Sequence, residues 1–431
     1  MDDKQLLEYC INYLSQKQVA ESQVFLKTHT RYELISEMSE ICLLKSNYSN
    51  ILDITVIKDH KKASIITNKL TNELINKDLD KVILMAESSQ QDLDYRVSPK
   101  QKNKAFSKGV KEPDFENMLA VLQKFIVDIR NYYPKISLKN ATVTFNQYNS
   151  KYLNSNDTYF ESYKAYYSFI IDFIAKDEDK ISNFSYTSAS FLELPEDILN
   201  FGNIKFQIEN TIKQLNPQTV EGKFEGDVII TPDCIEDFVY MLVDIGLKGS
   251  VIYSKASMML EKLNKPVANE KFSLYSNPLA SEISEGFFIT DDGYCAKDLT
   301  IIKNGVLKSF LLDDYSAKKA NMLRSGNNGS CYIVESGNTH LTDMIKNVKK
   351  GLYITSLSHG RPALNGDFSG VAKNSFYIEN GTLKNAVNET MIFANIYEML
   401  NNISEISIEN VNFGKHIYPW ITFKHIIISG K

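Results

Sequence analysis

The sequence predicts an α+β protein: helices packed on a mostly antiparallel sheet at the N-terminal end, then a strand-rich α+β region at the C-terminal end. Three observations predict it. Apolar residues recur at helical spacing through 69–88 and 114–131. The stretch 141–191 alternates as strands do and is crowded with aromatic residues. Two Asn-Gly pairs, Asn304-Gly305 and Asn380-Gly381, sit at the centre of hairpin patterns in the second half. At 431 residues the chain exceeds one ordinary core. Asn216-Pro217 is the expected boundary, giving an N-terminal domain over 1–220 and a C-terminal, strand-rich domain over 221–431.

In chain order, residues 3–16 read as an amphipathic helix built on Leu6, Leu7, Cys10, Tyr13 and Leu14. Three or four short strands follow, signalled by Val24 and Leu26 and by Ile54 and Val56. The two long helices flank a lysine-rich segment, Ser98 to Pro113, read as a solvated connection or as a docking loop for an acidic partner. Three or four antiparallel strands should carry the aromatic residues of 141–191 as sheet core. A helix is expected over about 196–215. In the second half, a strand over 227–230 leads into a helix opened by Thr231 and Pro232, with Ile235, Phe238, Val239, Leu242 and Ile245 on its buried face. Further helices are expected over 250–263, 315–322 and 389–401, the second of them capped by Asp313 or Asp314, with last strands over 404–410 and 421–429. The hairpin segments TIIKNGVLKSF and FYIENGTLKNA look alike, through duplication or through shared turn chemistry.

Composition narrows the function. The net charge of −5 argues against binding nucleic acid through bulk electrostatics. The five cysteines are odd in number, scattered and without a C-x-x-C pair, so free thiols in a cytoplasmic setting are expected. The start MDDKQLLEYC has no apolar core of a secretory signal, and no run is long enough to span a membrane. No phosphate-binding glycine pattern and no G-x-S-x-G occurs. None of the six histidines is spaced for a zinc helix. His359, in Ser358-His359-Gly360-Arg361, reads as a hydrogen-bonded loop residue or as one that touches substrate.

The second half resembles the TldD/PmbA family, the modulators of DNA gyrase. The likeness runs in order through DVIITPDCIEDFVYML, GSVIYSKASMMLEKL, ITDDGYCAKDLTIIKNGVLKSFLLDDYSAKKANM, SGNNGS and GRPALNGDFSGVAKNSFYIENGTLKNAVNETMIFANIYEML. The resemblance implies a two-domain fold and a two-subunit cytosolic zinc peptidase that processes or degrades small or unfolded peptides. In the TldD-like subunit an H-E-x-x-x-H helix and a C-terminal cysteine hold zinc. The TldE-like subunit lacks them. Aligned on Gly246-Leu247-Lys248-Gly249, the motif's first ligand falls at Tyr240, its general base at Met241 and its second ligand at Ile245; the cysteine falls at Phe413. Met, Ile and Phe cannot replace these groups on zinc, and Tyr is a poor ligand.

The expectation is therefore a non-catalytic TldE/PmbA-like subunit with no cofactor of its own. Its partners would be a TldD-like subunit carrying zinc and an extended peptide bound by strand addition. His359, Arg361, Asn365 and Asp367 are its candidate substrate-facing residues. The alternative is a peptide-binding adaptor acting alone as a homodimer. A third reading, a hydrolase using Ser330, Cys331 or Ser369, lacks an identifiable base. No membrane or nucleic-acid partner is expected.

Overall fold

The structure is a computed structural model and describes residues 1–388 and 390–431. The first half is built on one sheet with strand order β3-β2-β1-β5-β6-β4. Its strands are β1 (Glu21–Glu37), β2 (Glu40–Lys58), β3 (Lys61–Thr67), β4 (Lys104–Lys108), β5 (Ile136–Asn154) and β6 (Tyr159–Asp177), with β7 (Lys180–Ile181) and β8 (Ser185–Phe191) also on β6. All pairs are antiparallel except β4 on β6. β1 and β2, expected short, run for 17 and 19 residues. Leu52, Ile54 and Val56 of β2 alternate into the core, with Thr55 and Ile57 buried beside them, while the half nearest the turn with β1 is mostly exposed and carries no apolar period.

Helices α1 (Asp3–Gln16) and α2 (Asn72–Glu87) bury Leu7, Cys10, Leu79 and Val82 against β1 and β2. α1 opens with a capping box: Asp2 accepts from the Gln5 N–H, and the Gln5 side chain accepts from the Asp2 N–H. α3 (Phe115–Tyr132) lays Met118, Leu122, Phe125 and Ile129 on the sheet, where Phe125 meets Phe169 edge-on. Phe145, Tyr152, Phe160, Phe169 and Phe173 are fully buried, as the aromatic pattern predicts. The lysine-rich segment is no free connection. β4 zips onto β6, and Lys108 Nζ donates to the carbonyls of Ala280 and Ile283 at 2.6 and 2.7 Å, tying it to the second half.

The helix expected over 196–215 is shorter, α4 (Ile204–Lys213), because Gly202 at φ +59° turns the chain just before it. The second half forms a larger, mixed sheet. Its strands are β9 (Gln218–Thr219), β10 (Lys223–Ile230), β11 (Leu274–Ser276), β12 (Leu299–Lys303), β13 (Val306–Leu307), β14 (Tyr332–Val334), β15 (Lys350–Ile354), β16 (Ser356–His359), β17 (Asp367–Lys373), β18 (Phe376–Glu379), β19 (Thr382–Asn388), β20 (Thr390–Asn395), β21 (Ile403–Asn412) and β22 (Ile417–Ser429). β10 lies centrally, parallel to β15 and antiparallel to β22. The β12–β13 and β18–β19 hairpins turn at Asn304-Gly305 and Asn380-Gly381, all four residues at positive φ, as a type I′ turn requires.

α5 (Pro232–Leu242) follows β10 and packs Phe238 on Phe423 of β22. It runs into one π-helical turn, Val243–Leu247, and then α6 (Gly249–Tyr253). The helix expected over 250–263 stops at Tyr253, because Lys255 adopts φ +58°. α7 (Asp314–Ala320) is capped by Asp313, whose carboxylate accepts from Ser316 N–H at 2.8 Å. α8 (Leu341–Asn347) lies near β21. The helix expected over 389–401 is α9 (Ile396–Asn401) alone: β20 fills the preceding residues and Asn395 caps the helix; Glu389 lies outside the described residues. Among the described residues no helix is long and apolar enough to cross a membrane.

Candidate functional site

α5 positions the centre of the site. Its apolar period buries Met241 (5% exposed) and Ile245 (fully buried) in the core of the second sheet, so neither can reach a ligand. Tyr240 is half-buried and faces the loop before β22, with Lys415 Nζ at 3.4 Å and His416 Nε2 at 3.5 Å from its hydroxyl. That loop carries Phe413, which packs partly buried against the same core. It is pinned from both sides: Ser190 N–H donates to the Phe413 carbonyl, and Phe413 N–H to the His416 carbonyl. Gly414 sits at φ +86°, where a Cβ would lie 2.3 Å from the Ser190 carbonyl oxygen, so the turn demands glycine. Tyr240 of α5 and the loop that carries Phe413 thus meet in space.

Sequence spacing missed His416, which the fold brings to α5 from far along the chain. It is 2% exposed and sandwiched between Tyr332 and Tyr418, with interplanar angles of 9° and 10°. Its Nδ1 accepts from Tyr332 N–H at 3.2 Å, so in the neutral ring the proton is on Nε2, which points at Glu236 Oε1, 3.2 Å away. Burial works to raise the Glu236 pKa, but His416 and Lys415 outweigh it and hold the carboxyl below its usual range. Both imidazole nitrogens are engaged. Tyr240 therefore faces a histidine with no free lone pair, Met241 and Ile245 are turned into the core, and this donor set does not fit zinc. Among the described residues no group of three or more His, Cys, Asp or Glu is placed to hold a metal ion.

One turn toward the N-terminus of α5, Asp233, Glu236 and Asp237 share a face at i, i+3 and i+4 and line a cavity of about 170 Å³. β8, α4 and β16 supply the other walls. Asp233 accepts from Asn203 Nδ2, and burial pushes its carboxyl up to about 6. Burial also raises Asp237. His359, at the end of β16, places Nε2 3.8 Å from Asp237 Oδ2, beside this cavity.

The other candidates fall elsewhere. Asn365 and Asp367 bond one another (Nδ2 to Oδ2, 2.7 Å), and both accept from Asn395 Nδ2, which ties the turn at Gly366 to the start of α9. These bonds hold Asp367 below the usual carboxylate range. Arg361 is exposed on the intervening loop. Cys331 is buried, and that burial pushes its thiol up, away from the thiolate a nucleophile needs. Ser369 is exposed on β17.

Residues 222–430 match the family model for the PmbA/TldA metallopeptidase C-terminal domain and belong to the PmbA/TldD family. The metalloprotease PmbA homologue of Haemophilus influenzae is 28% identical over 247 residues, 56% of this chain and 53% of that protein. Across the first curated relatives the match spans about a third to just over half of their length. A Bacteroides thetaiotaomicron protein described as a modulator of DNA gyrase has the same fold along its whole length, with TM-score 0.86, 20% identity and coverage of 100% and 99%. TldE of Thermococcus kodakarensis superimposes with TM-score 0.81 at 19% identity, covering 99% of each chain.

Proposed function

We propose that this chain is a non-catalytic, TldE-like subunit that pairs with a zinc-bearing TldD-like subunit in a cytoplasmic peptidase acting on small or unfolded peptides. One observation carries the reading. By the motif alignment Tyr240, Met241, Ile245 and Phe413 stand at the four positions where the active subunit would place its ligands and base, and His416 beside Tyr240 spends both nitrogens on Tyr332 and Glu236. A zinc-activated water needs an open metal and a base, and neither can be assembled from these side chains. What the chain keeps is a structured corner beside α5, suited to holding a substrate while the partner supplies the chemistry.

The test is co-expression of this chain, tagged, with the TldD-like protein of its own cell. A stable one-to-one complex, with peptidase activity that the partner alone lacks and a purified chain free of zinc, is the expected result. Stoichiometric zinc in the isolated chain, or a homodimer that never takes up the partner, overturns the proposal; the homodimer would favour a stand-alone adaptor.

A further inference from the structure

The cavity beside α5 is unbalanced in a particular way. Three carboxylates, Asp233, Glu236 and Asp237, line it. Neighbouring groups already serve the carboxylates: Gln207 and Asn203 on Asp233, His416 on Glu236 and His359 on Asp237. Two further polar atoms are left over. Thr187 lines the cavity from β8 at 3% exposure, and its Oγ1 has no hydrogen-bond partner. Asn374 turns its Nδ2 to Ser185 Oγ at 3.2 Å, which leaves its buried Oδ1 unpartnered on the same wall. A buried acceptor without a donor is costly, and a carboxylate offers about four lone-pair sites, more than one donor fills. Helix-dipole preference explains Asp233 in the first turn of α5, but Glu236 and Asp237 lie beyond that turn.

What this wall lacks is positive charge: no lysine or arginine lines it. The carboxylates are not placed to share one metal ion, so the complement is an extended, donor-rich organic cation. The rim adds aromatic faces: Phe184 and Tyr186 flank the opening at 58% and 71% exposure, suited to cation–π contact. We propose that this cavity receives the basic side chain, lysine or arginine, of a bound peptide. The carboxylates and Asn374 Oδ1 accept its N–H groups, Thr187 supplies the last hydroxyl, and the aromatic rim covers the stem. The word peptide rests on the function proposed above; the preference for an organic cation rests on the cavity alone.

The test is calorimetric titration of the full-length chain with acetylated, amidated tripeptides in which alanines flank arginine, lysine, glutamine or glutamate. Agmatine, a guanidinium without a peptide, is titrated alongside. The arginine and lysine peptides should bind at least about tenfold tighter than the glutamine peptide, as expected of charge-assisted hydrogen bonds. Asp237→Asn should remove most of that preference. Thr187→Val, which keeps the side-chain shape, should weaken the basic peptides several-fold while leaving the melting temperature unchanged or raised, a result that a purely structural threonine would not give. Equal affinity for arginine and glutamine peptides, or no binding of any cation at millimolar concentration, overturns the proposal. Agmatine bound in an Asp237-dependent way with every peptide excluded would keep the cation site and refute the peptide reading.

Discussion

Asp233→Asn offers the sharpest check on the electrostatics of the site. Burial raises the Asp233 carboxyl from 3.8 to about 6. Well below the unfolded value of 3.8 the group is protonated whether the chain is folded or unfolded, and its contribution to stability is complete. As the pH rises through 6, the folded protein must hold a charge that the unfolded chain holds more cheaply, and that contribution is lost. A difference of about two units at 1.36 kcal/mol each is about 3 kcal/mol, and water in the cavity makes this an upper figure. Asparagine keeps an oxygen for Asn203 and never ionises. Asp237, raised by burial, and Glu236, lowered by His416, remain in both proteins, so they cancel in the comparison. Thermal unfolding of both proteins from about pH 3 to pH 8 should show the gap close toward the acid end. At pH 8 the variant should melt higher, by up to roughly 6–12 °C at 2–4 °C per kcal/mol. A gap that is constant with pH, or a variant less stable than wild type at pH 8, would refute the argument.

Gly249→Ala would place a methyl group 2.5 Å from Ser316 Cβ where α6 crosses α7. A loss of about 1–3 kcal/mol, read by urea unfolding, is expected from this overpacking. Thr422→Val replaces a hydroxyl that is buried in β22 without a partner. It should be neutral or stabilising by about 1 kcal/mol, whereas clear destabilisation would reveal a partner for that oxygen. Trp420 is the single tryptophan, and its Nε1–H donates to Tyr353 Oη at 2.8 Å inside the core. Tyr353→Phe should cost about 1–3 kcal/mol and shift the intrinsic fluorescence, because the indole loses its only acceptor there.

What the sequence made legible follows from the range of the forces involved. α1, α2 and α3 were readable because a helix on a core writes its period into contiguous residues, as Leu6, Leu7, Cys10 and Leu14 do. The two hairpins were readable for a similarly local reason. Gly305 and Gly381 both turn under a neighbouring backbone, with the carbonyls of Ala268 and Lys346 where a Cβ would lie, at 2.3 and 2.6 Å. That common demand is enough to make TIIKNGVLKSF and FYIENGTLKNA look alike without any duplication. The exposed half of β2 and the β20–α9 junction left no comparable period to read.

The site divides along the same line. Motif alignment singled out Tyr240, Met241, Ile245 and Phe413, because each stands close in sequence to a local turn. It could not locate His416, whose place is fixed by β22 pairing with β10 and by two tyrosine rings drawn from different strands. The acidic cavity was hidden more deeply. Asp233, Glu236 and Asp237 look in sequence like the solvated face of an amphipathic helix, and only β8 closing over them turns three surface charges into one pocket. His359 was selected for its motif and Asn365 and Asp367 with it, yet only His359 lies against α5. A matched loop therefore mixed two requirements, a turn held by Asn395 and a side chain aimed at the site, and sequence alone had no means to separate them.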